Sequence, residues 1–296
     1  NGEFYKEQNL AVIGVGTDSA CFESPNFAPV NSGPRYSNTG AAQALVQAGA
    51  TGTLVVTEPA APNGDYSAGG ACAVAEEAGL KCITDMETLP ITDPNGVILK
   101  LVQQAGDGGG IIINHDPETA AALMQAAHAQ NVVDKVFWGA STPLANTDSA
   151  SIAGANGFDD KIYIDSEFAL LSAETPDMQL YRDITEAYEP SLPIQSFGQM
   201  GFLTAKFATN ALLGIDGPIT RESFNQAVVE LEAQETDMLC KPWYFGDLPG
   251  HLANNSNIIV TYREGQVVSE QSCFDIAAVD PVVEAARAAE AQGGQH

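Results

Sequence analysis

Basic residues are scarce in this chain. Twelve Lys and Arg stand against 38 Asp and Glu over 296 residues, a net charge of −26. Nucleic acids and anionic lipid surfaces are held by clustered Lys and Arg, so neither is expected as a partner. The acidic excess reads as a solubilising, self-repelling surface, with calcium binding by surface carboxylates as the other reading. Long hydrophobic runs are missing too. No stretch approaches the ~18 apolar residues of a membrane-spanning helix. The five cysteines, Cys21, Cys72, Cys82, Cys240 and Cys273, form no C-x-x-C pair. No Cys/His cluster has zinc spacing, which argues against a structural zinc site. The odd count fits two bridges and one free thiol in an exported protein. Cys240–Cys273 is the expected pair, because both flank the same C-terminal segment. The other reading is that all are small buried apolar side chains.

What is present suffices for a core: 45% of the chain is apolar, at a length that suits one large domain or two lobes. An apolar strand at 10–15 ends in a Gly/Thr/Asp loop. A Pro-rich connection, a helix over 37–48 and a strand over 53–57 follow. A helix over 67–78 closes at Gly79, a glycine in the usual place after a helix end. A short strand at 81–84 precedes a helix that starts at Pro94 behind Asp93 and runs to 105. The strand at 111–114 has the apolar texture of a buried parallel strand. Asp116 as N-cap and Pro117 at the first helical position open a helix to 130, and a strand at 135–138 follows. This rhythm of strands and helix-length crossovers predicts a parallel, doubly wound sheet. Beyond residue 165 the pattern changes to helices over 176–188, 196–213 and 220–234. A hairpin (257–261 with 266–269), an Ala/Glu-rich helix (279–292) and a tail at 293–296 end the chain.

Four strand-end segments carry the candidate chemistry. Gly14-Val15-Gly16-Thr17-Asp18-Ser19 has Ser19 where a dinucleotide fingerprint needs its third glycine, and Cys21–Pro25 does not start a helix. It reads better as a ligand loop, in which small residues let backbone N–H groups approach an anion and Thr17 and Asp18 add side-chain partners. An ordinary turn is the alternative. A strand that ends in a small polar loop without catalytic residues points to binding rather than chemistry. Gly139-Ala140-Ser141-Thr142-Pro143 resembles a nucleophile elbow with proline in place of the last glycine, and Pro143–Asn146 does not read as the helix that should follow. His251 is the one downstream candidate base, so a serine hydrolase built on Ser141 and His251 is an alternative. The same loop closes a strand where open α/β sheets bind ligands, so Trp138, Ser141 and Thr142 read as pocket lining. At Asn114-His115-Asp116, Asp116 already caps a helix and no second His or Cys lies at ligand spacing. A polar pocket wall is the expectation there, not a metal site. Tyr66 offers a flat face and a hydroxyl to a small ligand, or is a surface aromatic beside a helix start. Phe197, Phe202 and Phe207 on one helix read as core, as does the aromatic segment Cys240–Phe245.

In order along the chain, several segments agree: Ala11–Gly16 followed by Ser24–Phe27, the Gly64-Asp65-Tyr66 loop, the strand ends at Asn114–Glu118 and Phe137–Thr142, and the helices at 197–213 and 220–231. Together they resemble the type I periplasmic solute-binding proteins of ABC importers, the branched-chain amino-acid (Leu/Ile/Val-binding) family. The resemblance covers nearly the whole chain. It implies an α/β fold of two lobes with parallel doubly wound sheets, joined by three hinge crossovers and closing on a ligand. It places residues 1–33 with 167–250 in lobe one, 34–166 with 251–278 in lobe two, and 279–296 as a C-terminal helix and tail. Lobe one is then expected to lack its opening strand–helix units.

The implied function is a non-enzymatic, extracytoplasmic receptor, periplasmic or lipid-anchored, with no cofactor and with its signal peptide outside this chain. Its implied partners are permease subunits and a small amino acid or an aromatic or aliphatic carboxylate. It is expected to act as a monomer. A ligand-sensing domain of the same fold is the alternative. The family's ligand contacts carry over to Gly16, Thr17 and Asp18 for a carboxylate, to Tyr66 for an aromatic wall, and to His115, Asp116 and Ser141 at strand ends. Amino-acid binders of the family usually hold the α-ammonium with an acidic residue near the position of Ser141. Asp18 or Asp116 would substitute here, or the ligand has no ammonium.

Overall fold

The computed structural model of the chain describes residues 2–246, 252–276 and 279–293. Helix α1 (Gly2–Glu7) leads to strand β1 (Val12–Gly14), helix α2 (Ser19–Glu23) and strand β2 (Phe27–Pro29). Helix α3 (Pro34–Gln47), strand β3 (Thr53–Pro59), helix α4 (Gly64–Glu77), strand β4 (Lys81–Glu87) and helix α5 (Pro94–Ala105) come next. The alternation continues with strand β5 (Gly110–Ile113), helix α6 (Pro117–Ala129), strand β6 (Phe137–Ala140), helix α7 (Thr147–Ala155) and strand β7 (Ile162–Ser166). Helices α8 (Pro176–Tyr188), α9 (Ser196–Leu213) and α10 (Arg221–Val229) precede strands β8 (Ser256–Arg263) and β9 (Gln266–Asp275) and helix α11 (Pro281–Gly293).

The chain divides into two compact units. The first is Asn1–Gly33, Glu167–Ser256 and Pro281–His296; the second is Pro34–Ser166 and Asn257–Asp280. The division differs from the expected one near the end: Ser256 and the residues just before it group with the first unit, as does α11.

The second unit is built on a seven-stranded sheet in the order β4-β3-β5-β6-β7-β8-β9. Its first five strands are parallel, and β8 runs antiparallel to β7. Glu264 and Gly265 both adopt positive φ, which gives the β8–β9 turn the twist a two-residue hairpin needs. Helices α3 and α4 pack together on one face of the sheet, and α5 and α6 pack together as well. Alanine makes the first pairing close. Ala41, Ala42 and Leu45 of α3 meet Ala68, Ala71, Val74 and Ala75 of α4 over Leu54, Val56 and Ile112 of the sheet. A Cβ at Gly70 would stand 2.0 Å from Thr39 Oγ1 and 2.9 Å from the Arg35 carbonyl, so only glycine fits that crossing. Cys72 on α4 is bridged to Cys82 on β4. Cys21 is a free thiol.

The first unit pairs β1 with β2 in parallel. Its core gathers Phe168, Met178, Met200, Leu203, Phe207, Trp243 and Phe245. Phe207 stacks on Trp243 with ring centroids 4.5 Å apart. The indole N–H of Trp243 donates to the Pro29 carbonyl at 2.9 Å.

Three expectations need correction. A short helix does follow the loop, with Cys21–Glu23 as its last residues: α2 forms because Asp18 accepts from the Ala20 N–H, and because Phe22 is buried where Gly16 and Gly33 leave it room. The turn after Ser141 continues as a 3-10 turn (Thr142–Leu144) and then as α7, whose N-cap Asn146 accepts from the Ser149 N–H. Phe197 is 55% exposed, while Phe207 is buried. Residues five apart on a helix turn by about 140° each, so the three Phe do not share a face. His251 and residues 294–296 lie outside the described residues.

Truncating Trp243 removes both the stack and the bond to Pro29. Trp243→Ala is expected to cost about 3–5 kcal/mol, read as a lowered urea midpoint. A loss below about 1 kcal/mol would contradict this account of the first unit's core.

Candidate functional site

The first five strands of the second unit, renumbered from β3, have the order 2-1-3-4-5. Their topological switch point therefore lies between β3 and β5, where open α/β sheets bind ligands at the strands' carboxyl ends. Side chains alternate between faces along a strand, and the polar residues here sort accordingly. Thr57 and His115 share one face, while Glu58 and Asn114 project to the other, toward α3 and α4.

Glu58 is the centre of this cluster. It is 3% exposed. Its Oε1 accepts from Asn38 Nδ2 at 2.7 Å, Ser67 Oγ at 2.8 Å and Asn114 Nδ2 at 2.9 Å. Its Oε2 accepts from Asn114 Nδ2 at 2.8 Å. All these donors are neutral. Desolvation by burial outweighs their hydrogen bonds and pushes the carboxyl up to about 7. The network runs on to the end of β6, where Ser141 Oγ donates to Asn114 Oδ1 at 2.6 Å. Beside it, the Thr142 N–H donates to Ser37 Oγ at 3.2 Å, and Thr142 Oγ1 donates to the Asp165 carbonyl at 3.2 Å. Asn38 Oδ1 is buried with no partner.

On the opposite face, His115 Nε2 lies 3.0 Å from Thr57 Oγ1, and its buried Nδ1 has no partner. Burial pushes this imidazole down to about 4 against the pull of the Asp116 and Asp85 carboxylates, so it is neutral at physiological pH. Asp85 is itself engaged by Lys100 at 2.7 Å and Gln104 at 2.9 Å.

The other expected site residues are placed as follows. Tyr66, in the first turn of α4, lies under the Arg35 guanidinium, which is 5.0 Å from the ring centroid and donates to the Tyr66 carbonyl at 2.8 Å. Arg35 forms a two-armed pair with Asp280, both bonds 2.8 Å. Asp116 spends its carboxylate capping α6 through the Thr119 N–H and hydroxyl. Trp138 is fully buried, donates to the Val133 carbonyl at 2.8 Å and packs edge-on against Phe158. That makes it core rather than lining. In the first unit, Gly16 uses both backbone groups on Asn31, accepting from Nδ2 at 2.9 Å and donating to Oδ1 at 2.8 Å. Its N–H is thus committed, leaving Thr17, which is exposed, and Asp18, which caps α2.

The structure brings Ser141 and the 114–115 strand end together. It adds Glu58 and Asn38, which carried no motif. Their one sequence signal is a glutamate closing the apolar strand TLVVTEP. Ser141 gives its proton to an amide oxygen, which cannot serve as a general base. Among the described residues no group of three or more His, Cys, Asp or Glu could hold a metal ion, and no helix is long and apolar enough to cross a membrane.

Glu58 and His115 make opposite contributions to pH dependence. A carboxyl raised from 4.5 to about 7 binds more protons folded than unfolded, so its contribution falls as the pH rises through that interval. An imidazole lowered from 6.5 to about 4 contributes stability that grows as the pH rises through its own interval. The two nearly cancel in the native chain. Glu58→Gln removes one of them, so the variant is expected to gain on the native chain by about 2.5 kcal/mol between about pH 5 and pH 8. Urea unfolding at both pH values measures this. An unchanged difference would mean that Glu58 is ionised throughout.

The family model for periplasmic binding proteins matches residues 1–266. No curated protein sequence matches the chain. Among solved structures, a branched-chain amino acid ABC transporter protein from Thermus thermophilus with bound valine superposes with a TM-score of 0.78 at 16% identity, covering 96% of this chain and 77% of that one. A fatty acid ABC transporter substrate-binding protein from Thermomonospora curvata gives a TM-score of 0.77 at 19% identity, covering 94% and 72%. A leucine-binding protein from Thermotoga maritima gives 0.72 at 13%, covering 93% and 75%. At these identities the likeness is one of fold, the type I periplasmic-binding-protein fold. Members of the family are extracytoplasmic solute-binding proteins of ABC transporters, not enzymes. With a family model matched along nine-tenths of its length, the chain belongs to the periplasmic binding proteins.

Proposed function

We propose that this protein is the receptor of an ABC importer for a small amino acid or small organic acid, held by hinge closure and delivered to permease subunits. The observation that carries this reading is the buried Glu58–Asn114–Ser141 chain at the switch point of the second unit's sheet. Within that unit Ser141 and Tyr66 are the proposed solute contacts. His115 lies on the opposite face beside Thr57, Trp138 belongs to the core, and Asp116 acts through the start of α6. Within the first unit Thr17 and Asp18, presented by Gly16, are the proposed contacts.

Arg35 is neutralised by Asp280, so it is not a free cation for the solute's carboxylate. Hydroxyls, amides and backbone N–H groups would hold that carboxylate instead. The net charge of −26 favours a receptor that stays monomeric.

A thermal-shift and calorimetric screen of amino acids, aromatic acids, short aliphatic acids and polyols tests the reading. A solute at ~100 times its Kd adds ~2.7 kcal/mol of stability. One chemical class is expected to raise the melting temperature, and Tyr66→Ala and Ser141→Ala are each expected to weaken it by about tenfold, some 1.4 kcal/mol. A folded protein that responds to no member of the panel would overturn the assignment.

A further inference from the structure

We infer that the second unit carries a separate small-molecule site, a groove between the 88–93 segment and the start of α6. Its ligand is an aliphatic amine: a single ammonium on a short hydrocarbon chain. The inference does not depend on the receptor reading. The groove lies beside α5 and α6, whereas Glu58 and Asn114 project toward α3 and α4.

The groove has a volume of about 550 Å³, inside the usual range for small-molecule sites. Its apolar lining comes from two places. Leu89, Pro90 and Ile91 follow β4 and lead to Pro94 at the start of α5. Ala122 and Leu123 belong to α6. Leu89 is 42% exposed and Leu123 is fully buried, so apolar surface runs from the rim to the floor. The polar lining is Asp116, Glu118 and Thr119, all at the start of α6.

That polar lining is negative, and no cation answers it. Asp116 accepts from the Thr119 N–H at 3.0 Å and from the Thr119 hydroxyl at 2.7 Å. Desolvation raises its carboxyl, but these bonds outweigh it and hold the group below the usual range, so it is charged at physiological pH. Among the described residues neither Asp116 nor Glu118 pairs with a Lys or Arg, and Lys100 on α5 is taken by Asp85 and Glu87. The α6 macrodipole brings about half a positive charge to this end, which two carboxylates exceed. An anion finds little to bind. The Thr119 N–H is already given to Asp116, and Pro90, Pro94 and Pro117 have no N–H. An ammonium on a hydrocarbon chain uses both linings at once. By contrast, a second cavity of this unit, about 350 Å³ at the opposite strand ends, sets Lys135 and Lys161 against Asp134 and Asp160, so its charges balance.

Two measurements on the whole chain at neutral pH test this. In the first, calorimetry compares hexylamine with hexanoate, which replaces the ammonium by a carboxylate, and with methylamine, which has no chain. Hexylamine is expected to bind, hexanoate not to bind, and methylamine to bind more than about tenfold more weakly. From butylamine to hexylamine each methylene should tighten binding by up to about fourfold, the value for a fully buried CH₂. Added salt should weaken hexylamine, because exposed carboxylates are screened.

In the second, nitrogen-15 NMR locates the amine. Hexylamine is expected to move the backbone amides of Ile91, Thr119, Ala122 and Leu123. Glu118→Gln and Leu89→Ser stand at exposed positions, where the fold tolerates them. Each should weaken hexylamine by about threefold. Glu186→Gln, exposed on α8 of the first unit, should leave it unchanged. Hexanoate binding as tightly as hexylamine would overturn the choice of a cation. Shifts scattered over the acidic surface, with Glu186→Gln as harmful as Glu118→Gln, would mean that the amine merely condenses on the net charge of −26, and the site would fall. Neither heat nor shifts with millimolar hexylamine would overturn the inference as well. None of these outcomes touches the receptor reading, which the solute panel tests by itself.

Discussion

A carboxylate buried without a cation is the constraint on which the second unit turns. Glu58 is 3% exposed and relies wholly on hydroxyl and amide donors. Such a group is costly to bury and grows costlier for each donor it lacks. The donors come from three separate places in the chain: Asn38 on α3, Ser67 on α4 and Asn114 after β5. Satisfying one glutamate therefore sets α3, α4 and the end of β5 in a single register at the switch point of the sheet. The Ala-rich contact between α3 and α4, with glycine at position 70, is what lets the two helices come close enough to supply those donors.

Arg35 solves the matching problem for a cation. It is buried between Asp280, which takes two bonds, and the face and carbonyl of Tyr66. Gly69 leaves the space the guanidinium fills, since a Cβ there would lie 2.6 Å from Nη1. The pair ties the last residue of the 257–280 segment to the start of both α3 and α4. It also holds the α4 turn on which Tyr66 and Ser67 sit, so the aromatic face and the Glu58 donor are positioned by one contact. The first unit handles its own buried acid in the same economical way. Glu167 accepts from Ser32 Oγ at 2.9 Å and from the Gly33 N–H, which locks the ends of two chain segments that meet there.

Much of the fold was legible because its signals are local. Asp93-Pro94 and Asp116-Pro117 announce helix starts through a cap and a proline, and both helices begin where those residues stand. Alternation of apolar strands with helix-length segments was enough for a doubly wound sheet. Where the reading failed, the deciding contact was distant in sequence. Helix α2 depends on Phe22 finding space beside Gly33, and Trp138 turned out to be core because Phe158 and the Val133 carbonyl enclose it. Of the site, the strand ends at 114–116 and 141 were visible as polar breaks after apolar runs. Glu58 was not, because an acid at the end of a strand looks the same whether water or protein surrounds it.

The sequence by itself determined the acidic surface, the order of strands and helices, and the positions at which polar residues close apolar strands. These follow from composition, capping chemistry and periodicity, each of which acts over a few residues. Only the tertiary structure decided which of those polar residues meet. The strand order β4-β3-β5-β6-β7 brings residue 58 beside residue 114 and carries the chain on to residue 141. Burial then makes those contacts matter: a carboxyl that would be ordinary in water is displaced when desolvation and neutral donors are its whole environment.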